Sequence, residues 1–404
     1  MTTPIGPSAP SPEPRASMAR QFSVIAKKEI GDNLRDRRAM TTALIMPLMG
    51  PLTLVAVFFA IKDAEEKTKT PHVPVVGRDN APELVHFLER QGVVVEPAPT
   101  DVEQAVREAK TDVVLRIPTD FGAHLRDGSP ATVEIVCDPS RQNSVPTLNR
   151  VEKLVVGYGH EIGALRLMVR GVDPQIVQAT RVERVDVSAP EAEKALLLGS
   201  LPLFLLMSCF VSGLYVAIDI TAGERERQSL EPLLLNPVSP LTLVLAKVAA
   251  TIAFAVAGVA VSLAAFAIVV PSVPFADIGI DMHIPPRVIA SYALLFLPTA
   301  TLASALQVFV GTLSKNTKTA QASLGLVILG PVIPGVVVSL FPQQPSALLC
   351  AVPALGESII GLRLLRGEDV QLVHWLANAG ADLTVAAVLV VATARLFNAR
   401  MLSS

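Results

Sequence analysis

The charged residues with the most regular spacing lie in one polar segment, residues 219–240, which reads DITAGERERQSLEPLLLNPVSP. Four charges alternate in sign over residues 224–227, and a leucine-rich stretch follows over residues 230–235. Alternating charges pair with opposite charges, and a leucine face packs against a neighbouring helix or into the groove of a partner protein. The chemistry that this segment predicts is therefore noncovalent docking.

Motifs for covalent or metal chemistry are missing from the sequence. It has no GxxxxGK[ST] phosphate loop, no HExxH and no GxSxG. His160 and Glu161 lack the second histidine of a zinc protease, and the three cysteines form no CxxC pair. This argues against an intramembrane enzyme. We also expect that the chain holds no cofactor or metal and hydrolyses no ATP by itself.

Asp382 is the ionisable residue expected to lie deepest within an apolar run. Ionisable residues inside membrane spans are often functional, so one interpretation is a contact with a transported ion or substrate on the pathway. The other is an interfacial carboxylate that reaches water near the outer end of the last span. We prefer the second interpretation from the sequence.

The composition predicts an α-helical polytopic membrane protein. Of 404 residues, 51% are hydrophobic and 17% are charged, whereas soluble proteins carry about 25% charged residues. The net charge of −2 gives no reason to expect nucleic-acid binding. A membrane-spanning helix needs about 20 apolar residues, and the sequence has about six such runs. They lie at residues 39–61, 196–218, 241–270, 288–313, 320–341 and 376–396.

Apolar runs flank the polar segment on both sides, which places it at a membrane face. Each of its charges would cost about 2.5–3.5 kcal/mol at the centre of the bilayer. We therefore expect residues 219–240 to form a short helix between the second and third spans. A solvated charged loop is the simpler alternative, but it does not explain the leucine face.

The chain between the first two spans, residues 62–195, predicts a folded extracytoplasmic α/β domain. β-type runs alternate with helical runs along this stretch, which is the pattern of an α/β unit. Strands are predicted at residues 72–77, 93–96, 112–117, 132–137 and 182–187. Helices are predicted at residues 81–91, 102–109 and 146–170.

Three further segments are expected beside the spans. Residues 1–17 are rich in Pro and Ser and predict a disordered tail. Residues 18–38 predict a basic amphipathic helix on the inner leaflet, with Lys27 and Lys28 on its polar face, or alternatively an ordinary positive cluster beside the membrane. Residues 342–375 predict outer amphipathic or re-entrant helices.

The distribution of basic residues sets the expected orientation, because Lys and Arg concentrate in cytoplasmic loops. The predicted inner segments contain the N-terminal cluster together with Arg225, Arg227, Lys315, Lys318, Arg395 and Arg400. The short outer loops contain Arg287, Arg363 and Arg366. We therefore expect both termini to lie in the cytoplasm, with the chain in the inner or plasma membrane.

Residues 221–250, TAGERERQSLEPLLLNPVSPLTLVLAKVAA, resemble the segment through which type-2 ABC exporter permeases couple to their ATPase subunit. The family pattern is GE-(R/K)-E-(R/K)-x-(S/T)-LE-x-L-L, then P-(V/I)-S and a basic residue. It is filled here by Gly223, Glu224, Arg225, Glu226, Arg227, Ser229, Leu230, Glu231, Leu233, Leu234, Pro237, Val238, Ser239 and Lys247. The stretches VIAKKEIGDNLRDRRAMTTALIMPL and RIPTDFGAHLRDGSPATVEIVCDPS are also similar to that family, and the order of the spans is similar to its sodium-efflux, Nat-type branch.

The resemblance implies a non-catalytic permease that works with an ATPase subunit, which binds the ATP, and with a second copy of itself or a related chain. It implies that residues 223–234 contact the ATPase, with Lys315 and Lys318 as secondary contacts. Sodium is the cargo that the nearest branch suggests, although no cage of carboxylates and carbonyls for sodium is evident in the sequence. A membrane-anchored extracytoplasmic sensor or binding module is the alternative from another class, but six spans are excessive for an anchor.

Overall fold

The protein is described by a computed structural model that covers residues 17–141, 144–177, 180, 197–229, 238–278, 282–341 and 343–401. The chain divides into two compact units. The helical unit comprises Met1–Val55 and Ser188–Ser404, and the sheet unit comprises Ala56–Val187.

The described chain is mainly helical, with four short strands. Its helices are α1 Met18–Arg35, α2 Arg37–Lys69, α3 Pro82–Arg90, α4 Val102–Arg107, α5 Phe121–Asp127, α6 Val145–Val169, α7 Leu201–Glu226, α8 Pro240–Ser272, α9 Pro286–Leu313, α10 Thr317–Leu340, α11 Ala347–Cys350, α12 Leu355–Leu365 and α13 Leu372–Met401. Its strands are β1 His72–Val76, β2 Val94–Pro97, β3 Val113–Arg116 and β4 Glu134–Cys137.

Six helices in the described part of the chain are long and apolar enough to cross a membrane. We number them span 1 to span 6 in chain order. They are Ala39–Asp63, Leu201–Glu226, Pro240–Ser272, Pro286–Leu313, Thr317–Val338 and Leu372–Asn398. Only a helix satisfies all its backbone hydrogen bonds within one crossing segment, which is why long apolar runs determine these elements. The prediction of a mainly helical protein with six spans is confirmed.

Span 2 is longer at its carboxyl end than the sequence predicted. The predicted span ended at Ile218, but the helix continues to Glu226 through a π-helical turn at Asp219–Gly223. Charged side chains are accommodated in this extension because neighbouring spans supply partners for them, as described below. Residues 230–237 of the predicted polar helix lie outside the described residues.

Small residues allow spans 2 and 3 to pack closely. A Cβ atom on Gly258 of span 3 would lie 2.0 Å from the Ser212 hydroxyl oxygen and 3.3 Å from the Ser208 carbonyl oxygen of span 2. The Ser212 hydroxyl also donates a hydrogen bond to the carbonyl of Ala43 in span 1, at 3.0 Å. Small residues spaced four apart permit such contacts in membranes, and the sequence shows that spacing in both helices.

Helix α12 is packed inside the helical unit. It contacts spans 2, 4, 5 and 6, and most of its side chains are buried, including Glu357, Ile359 and Ile360. The Tyr292 hydroxyl of span 4 donates a hydrogen bond to the Gly361 carbonyl at 2.7 Å. This burial does not fit the outer amphipathic helix predicted for the stretch, because Glu357 faces other helices and not solvent. The re-entrant helix, the other predicted alternative, stays a prediction.

Helix α1 packs against span 3 through a partly polar face. Ala26, Glu29 and Asn33 are buried, whereas Leu34 is 53% exposed. The face that packs against span 3 therefore carries polar residues, whereas a helix lying on the membrane surface would turn an apolar face towards the membrane. The exposure of Lys27 and Lys28 agrees with the prediction.

The sheet unit contains one mixed sheet with strand order β2-β1-β3-β4. Strand β1 is parallel to β2 and β3, and β4 is antiparallel to β3. Val73, Val113 and Leu115 are fully buried in the core below the helices, as expected for central strands covered by helices. Four predicted strands are present with small shifts in their ends, α5 was not predicted, and the predicted strand at residues 182–187 lies outside the described residues.

Candidate functional site

The sequence GERER, residues 223–227, ends span 2 and is called the GERER motif below. Its first residue, Gly223, is the last residue of the π-helical turn at Asp219–Gly223. Such a turn contains one more residue than a turn of α-helix and recurs at functional sites. The turn decides which way the following charged side chains point. Each of the four charges in the motif has a partner within the helical unit.

Glu224 pairs with Lys247 of span 3. The Lys247 ammonium nitrogen lies 2.7 Å from Glu224 Oε2 and donates a second hydrogen bond to the Ile220 carbonyl at 2.5 Å. The lysine side chain is fully buried, and that of Glu224 is 13% exposed. Lys247 turns inward and not towards water, because a carboxylate of span 2 neutralises its charge and a carbonyl of span 2 accepts its second hydrogen bond.

Arg225 binds the carboxyl end of span 4. Its guanidinium donates to the Thr312 carbonyl at 2.7 Å and to the Ser314 carbonyl. Carbonyls in the last turn of a helix have no partner within the helix and carry partial negative charge. A planar guanidinium can satisfy two of them at once, so Arg225 attaches span 2 to span 4.

Glu226 binds the amino end of span 5. One carboxylate oxygen, Oε2, accepts hydrogen bonds from the Thr317 backbone N–H at 3.1 Å and from the Thr317 hydroxyl at 2.7 Å. An anion is favoured at a helix amino end, where N–H groups are free. Arg227 closes the motif by pairing with Asp219, back in the π-helical turn.

The GERER motif therefore connects span 2 to spans 3, 4 and 5 at one end of the helical unit. Spans 2 and 4 also approach each other closely at this end. A Cβ atom added to Gly311 of span 4 would lie only 2.2 Å from the Thr221 hydroxyl oxygen of the π-helical turn. A movement of this end of span 2 would consequently be transmitted to three other spans.

The Gly311→Ala variant is expected to lose about 1–3 kcal/mol of stability, because the added methyl overpacks the contact with Thr221. Gly325→Ala in span 5 is the matched control, since its Cβ meets nothing within 4 Å and alanine favours a helix over glycine. Thermal unfolding in detergent checks both variants. Equal melting temperatures for the two would show that the close approach does not matter.

Helix α1 adds charged groups at the same end. Lys28 lies 3.2 Å from Glu29. Burial lowers the pKa of Lys28, but the charge and hydrogen bond of Glu29, together with the charge of Glu224, outweigh burial and raise the pKa overall. The ammonium of Lys28 therefore stays protonated at neutral pH beside the motif.

The other predicted docking residues are placed as follows. The Ser229 hydroxyl donates to the Glu224 carbonyl at 3.2 Å. Lys315 and Lys318 are exposed on either side of Thr317. The predicted docking residues outside the described part of the chain are Leu230, Glu231, Leu233 and Leu234.

The sequence did not reveal the partners of the motif. Thr312, Ser314 and Thr317 supply backbone groups that a motif search does not detect, since any residue type supplies a carbonyl. Glu29, which pairs with Lys28 beside the motif, lies in a helix that the sequence assigned to the membrane surface. The basic residue that opens the next span, Lys247, was the signal that could have revealed the ion pair with Glu224.

Asp382 lies in the interior of the helical unit, not at the interface. It is fully buried, as are Glu357 of α12 and Thr299 of span 4. The expectation that this carboxylate reaches water is therefore wrong. Among the residues that the structure describes, no group of three His, Cys, Asp or Glu side chains could hold a metal ion.

Six apolar helices, four of them linked at one end by a charged network, define a multi-pass membrane protein. The family profile described as "ABC-2 family transporter protein" matches residues 42–354, and the chain belongs to this family. It is similar to the ABC transporter permease protein NatB of Bacillus subtilis (strain 168), with 29% identity over 321 residues, 78% of this chain and 81% of NatB. No solved structure matches the chain.

Membership of the family makes the protein a permease subunit of an ABC transporter, embedded in a membrane. In this family the membrane subunit works with a separate ABC ATPase subunit. The predicted membership of the type-2 ABC permease family is confirmed.

Proposed function

We propose that the chain forms the translocation pathway of an exporter and couples it to the ATPase subunit through residues 219–240. The observation that carries this proposal is the GERER motif, which connects one end of span 2 to spans 3, 4 and 5. A partner that binds the residues immediately after the motif acts on four spans through these contacts. ATP can change the conformation of the translocation pathway only if the docked segment binds the open and closed ATPase pairs with different affinity.

The proposed orientation places the motif and both termini in the cytoplasm and the sheet unit outside. Three basic elements support it by meeting at one end of the helical unit. They are α1 with Lys28, the GERER motif and the loop with Lys315 and Lys318. Their common location agrees with the rule that cytoplasmic loops are positive. The membrane is then the inner or plasma membrane.

The proposed assembly contains two permease chains, either two copies of this chain or this chain with a related one, and two ATPase subunits that bind the ATP. The chain needs no cofactor of its own in this scheme.

Sodium is the cargo that the resemblance to the Nat-type branch suggests. In proteoliposomes that contain the permease and its ATPase, we expect ATP-dependent sodium transport, and ATP hydrolysis without sodium movement would contradict that cargo.

The variant Glu226→Ala with Leu230→Ala tests the docking role. We expect it to reduce co-purification of the ATPase about tenfold or more, because the first change releases span 5 from the motif and the second removes a leucine from the predicted docking face. Retention of the ATPase by affinity capture is the measurement. Thermal unfolding of the permease alone verifies that it is folded.

The matched control is Glu152→Ala with Leu165→Ala, which makes the same two changes at exposed positions of α6 in the sheet unit. It should retain the ATPase fully. If the motif variant also retains the ATPase and supports transport at the rate of the unsubstituted protein, residues 219–240 are not the docking element.

A further inference from the structure

Span 6 carries a buried polar stripe. His374, Asn378 and Asp382 follow one another at intervals of four residues, so they lie on one face of the helix. Their exposed fractions are 8%, 1% and 0%. Within the described chain, His374 Nδ1, Asn378 Nδ2 and both carboxylate oxygens of Asp382 have no hydrogen-bond partner. Buried polar groups are normally bonded, so this stripe requires an explanation.

A second carboxylate faces the stripe from α12. Glu357 is fully buried and lies beside Asp382, together with Thr299 of span 4. The Thr299 hydroxyl donates its one proton to Glu357 Oε1 at 2.7 Å. Glu357 Oε2 has no partner among the described residues. Three carboxylate oxygens from two helices therefore lie close together in the interior without a hydrogen-bond donor among the described residues.

No permanent cation balances these two carboxylates in the described part of the chain, where neither forms a salt bridge. The titratable groups around them are Cys209 of span 2, Cys350 of α11, Tyr292 of span 4 and His374. Each of these groups has a neutral form. Arg363, on the same helix as Glu357, instead pairs with Glu368 at 2.5 Å.

Two adjacent carboxylates cannot both stay ionised in a low-dielectric interior without a counter-charge. Shared protons between buried carboxyl pairs are one established solution, and a bound metal cation is another. Calcium requires six to eight oxygen ligands and magnesium a near-ideal octahedron, which three free oxygens do not provide. A proton, or a singly charged ion, is the smallest occupant that removes the repulsion between the two carboxylates.

We infer that Glu357 and Asp382 form a binding site for one small monovalent cation, H⁺ or Na⁺, held between α12 and span 6. The Thr299 hydroxyl fixes the orientation of Glu357, and Asp382 supplies the second carboxyl group. A cavity of about 630 Å³ between spans 4 and 6 has Asn378 of the polar stripe in its mainly apolar lining. The use of this site in export rests on the proposed function, whereas cation binding does not.

Thermal unfolding of the purified full-length chain in detergent tests the site without the ATPase. We expect the melting temperature to fall by about 2–4 °C or more between pH 6 and pH 9 in choline chloride, because loss of the shared proton leaves two like charges. If the site accepts sodium, replacing choline with sodium at pH 9 restores the loss. If it accepts only protons, sodium has no effect. Both results support the site and identify its ligand.

The double variant Glu357→Gln with Asp382→Asn removes both charges at nearly constant shape and should lose the dependence on pH and sodium. Asp369→Asn, at an exposed position of the same region, should retain the behaviour of the unsubstituted protein. An unchanged pH dependence in the double variant would overturn the inference. So would a melting temperature of the unsubstituted protein that depends on neither pH nor sodium.

Carbodiimide labelling gives a second readout that needs no variant. Dicyclohexylcarbodiimide adds to protonated carboxyl groups and enters apolar interiors. We expect mass spectrometry of the unsubstituted chain to find the label on Glu357 or Asp382 at pH 6 and less of it at pH 9. Absence of label from both residues at pH 6 would refute a shared proton. Retention of the ATPase by the Glu226→Ala, Leu230→Ala variant, with the labelling intact, would instead contradict the docking proposal alone.

Discussion

Lys247→Met is expected to destabilise the helical unit by about 3–5 kcal/mol, the usual cost of removing one partner of a buried ion pair. Methionine preserves most of the volume of the lysine stem, so the expected loss of stability comes from removal of the positive charge. Glu224 would remain mostly buried without its cation, and the Ile220 carbonyl would lose its donor. Thermal unfolding in detergent and the yield of monodisperse protein are the measurements.

Two variants make the Lys247 result interpretable. Lys318→Met removes an exposed lysine and should change stability little, because exposed charges contribute about 0–1 kcal/mol. Combining Lys247→Met with Glu224→Gln should recover much of the loss, since the unpaired charge disappears. Equal stability of Lys247→Met and Lys318→Met would show that the ion pair is not a structural element.

Arg225→Lys is expected to reduce ATP-driven transport about tenfold or more while the ATPase still co-purifies. A lysine ammonium cannot reproduce the planar guanidinium that donates to both Thr312 and Ser314. Hydrogen bonds to charged groups contribute about 1.5–3 kcal/mol each, and 1.4 kcal/mol corresponds to a factor of ten. Transport and ATP hydrolysis measured in the same proteoliposomes would detect this uncoupling.

Arg227→Lys provides the comparison for Arg225→Lys. Its partner, Asp219, belongs to the same helix, and the Arg227 side chain is 63% exposed. We therefore expect Arg227→Lys to change the rate of ATP-driven transport less than twofold. If both lysine variants transport at the same rate as the unsubstituted protein, the link between spans 2 and 4 is not required for coupling. If Arg225→Lys loses the ATPase altogether, Arg225 contributes to docking and not to transmission.

The spans and the sheet could be predicted from sequence because each depends on a local pattern. A crossing helix must be apolar over its whole length, and the central strands β1 and β3 are runs of β-branched and aliphatic residues. The spacing of Ser208 and Ser212 is likewise visible in the sequence and permits the close contact with Gly258. These features depend on residues that are neighbours along the chain.

The environment of single charges could not be predicted, because it depends on distant residues. Glu357 suggested a solvated helix, yet its partner Thr299 lies 58 positions away in the sequence. Arg225 was assigned to a docking helix at the membrane face, and nothing in the sequence indicates that it binds a carbonyl 87 positions away. A sequence shows that a charge is present but not whether the fold supplies a partner for it.

The π-helical turn at Asp219–Gly223 has a mechanical consequence. If the π-helical turn converted to an α-helix, its extra residue would join the regular helix. The chain beyond it would then rotate by about 100° around the axis of span 2. Glu224, Arg225 and Glu226 would then swing away from their three different spans in a single step. We therefore expect these three attachments to release and re-form together, so that the π-helical turn acts as a two-state switch between coupled and uncoupled spans.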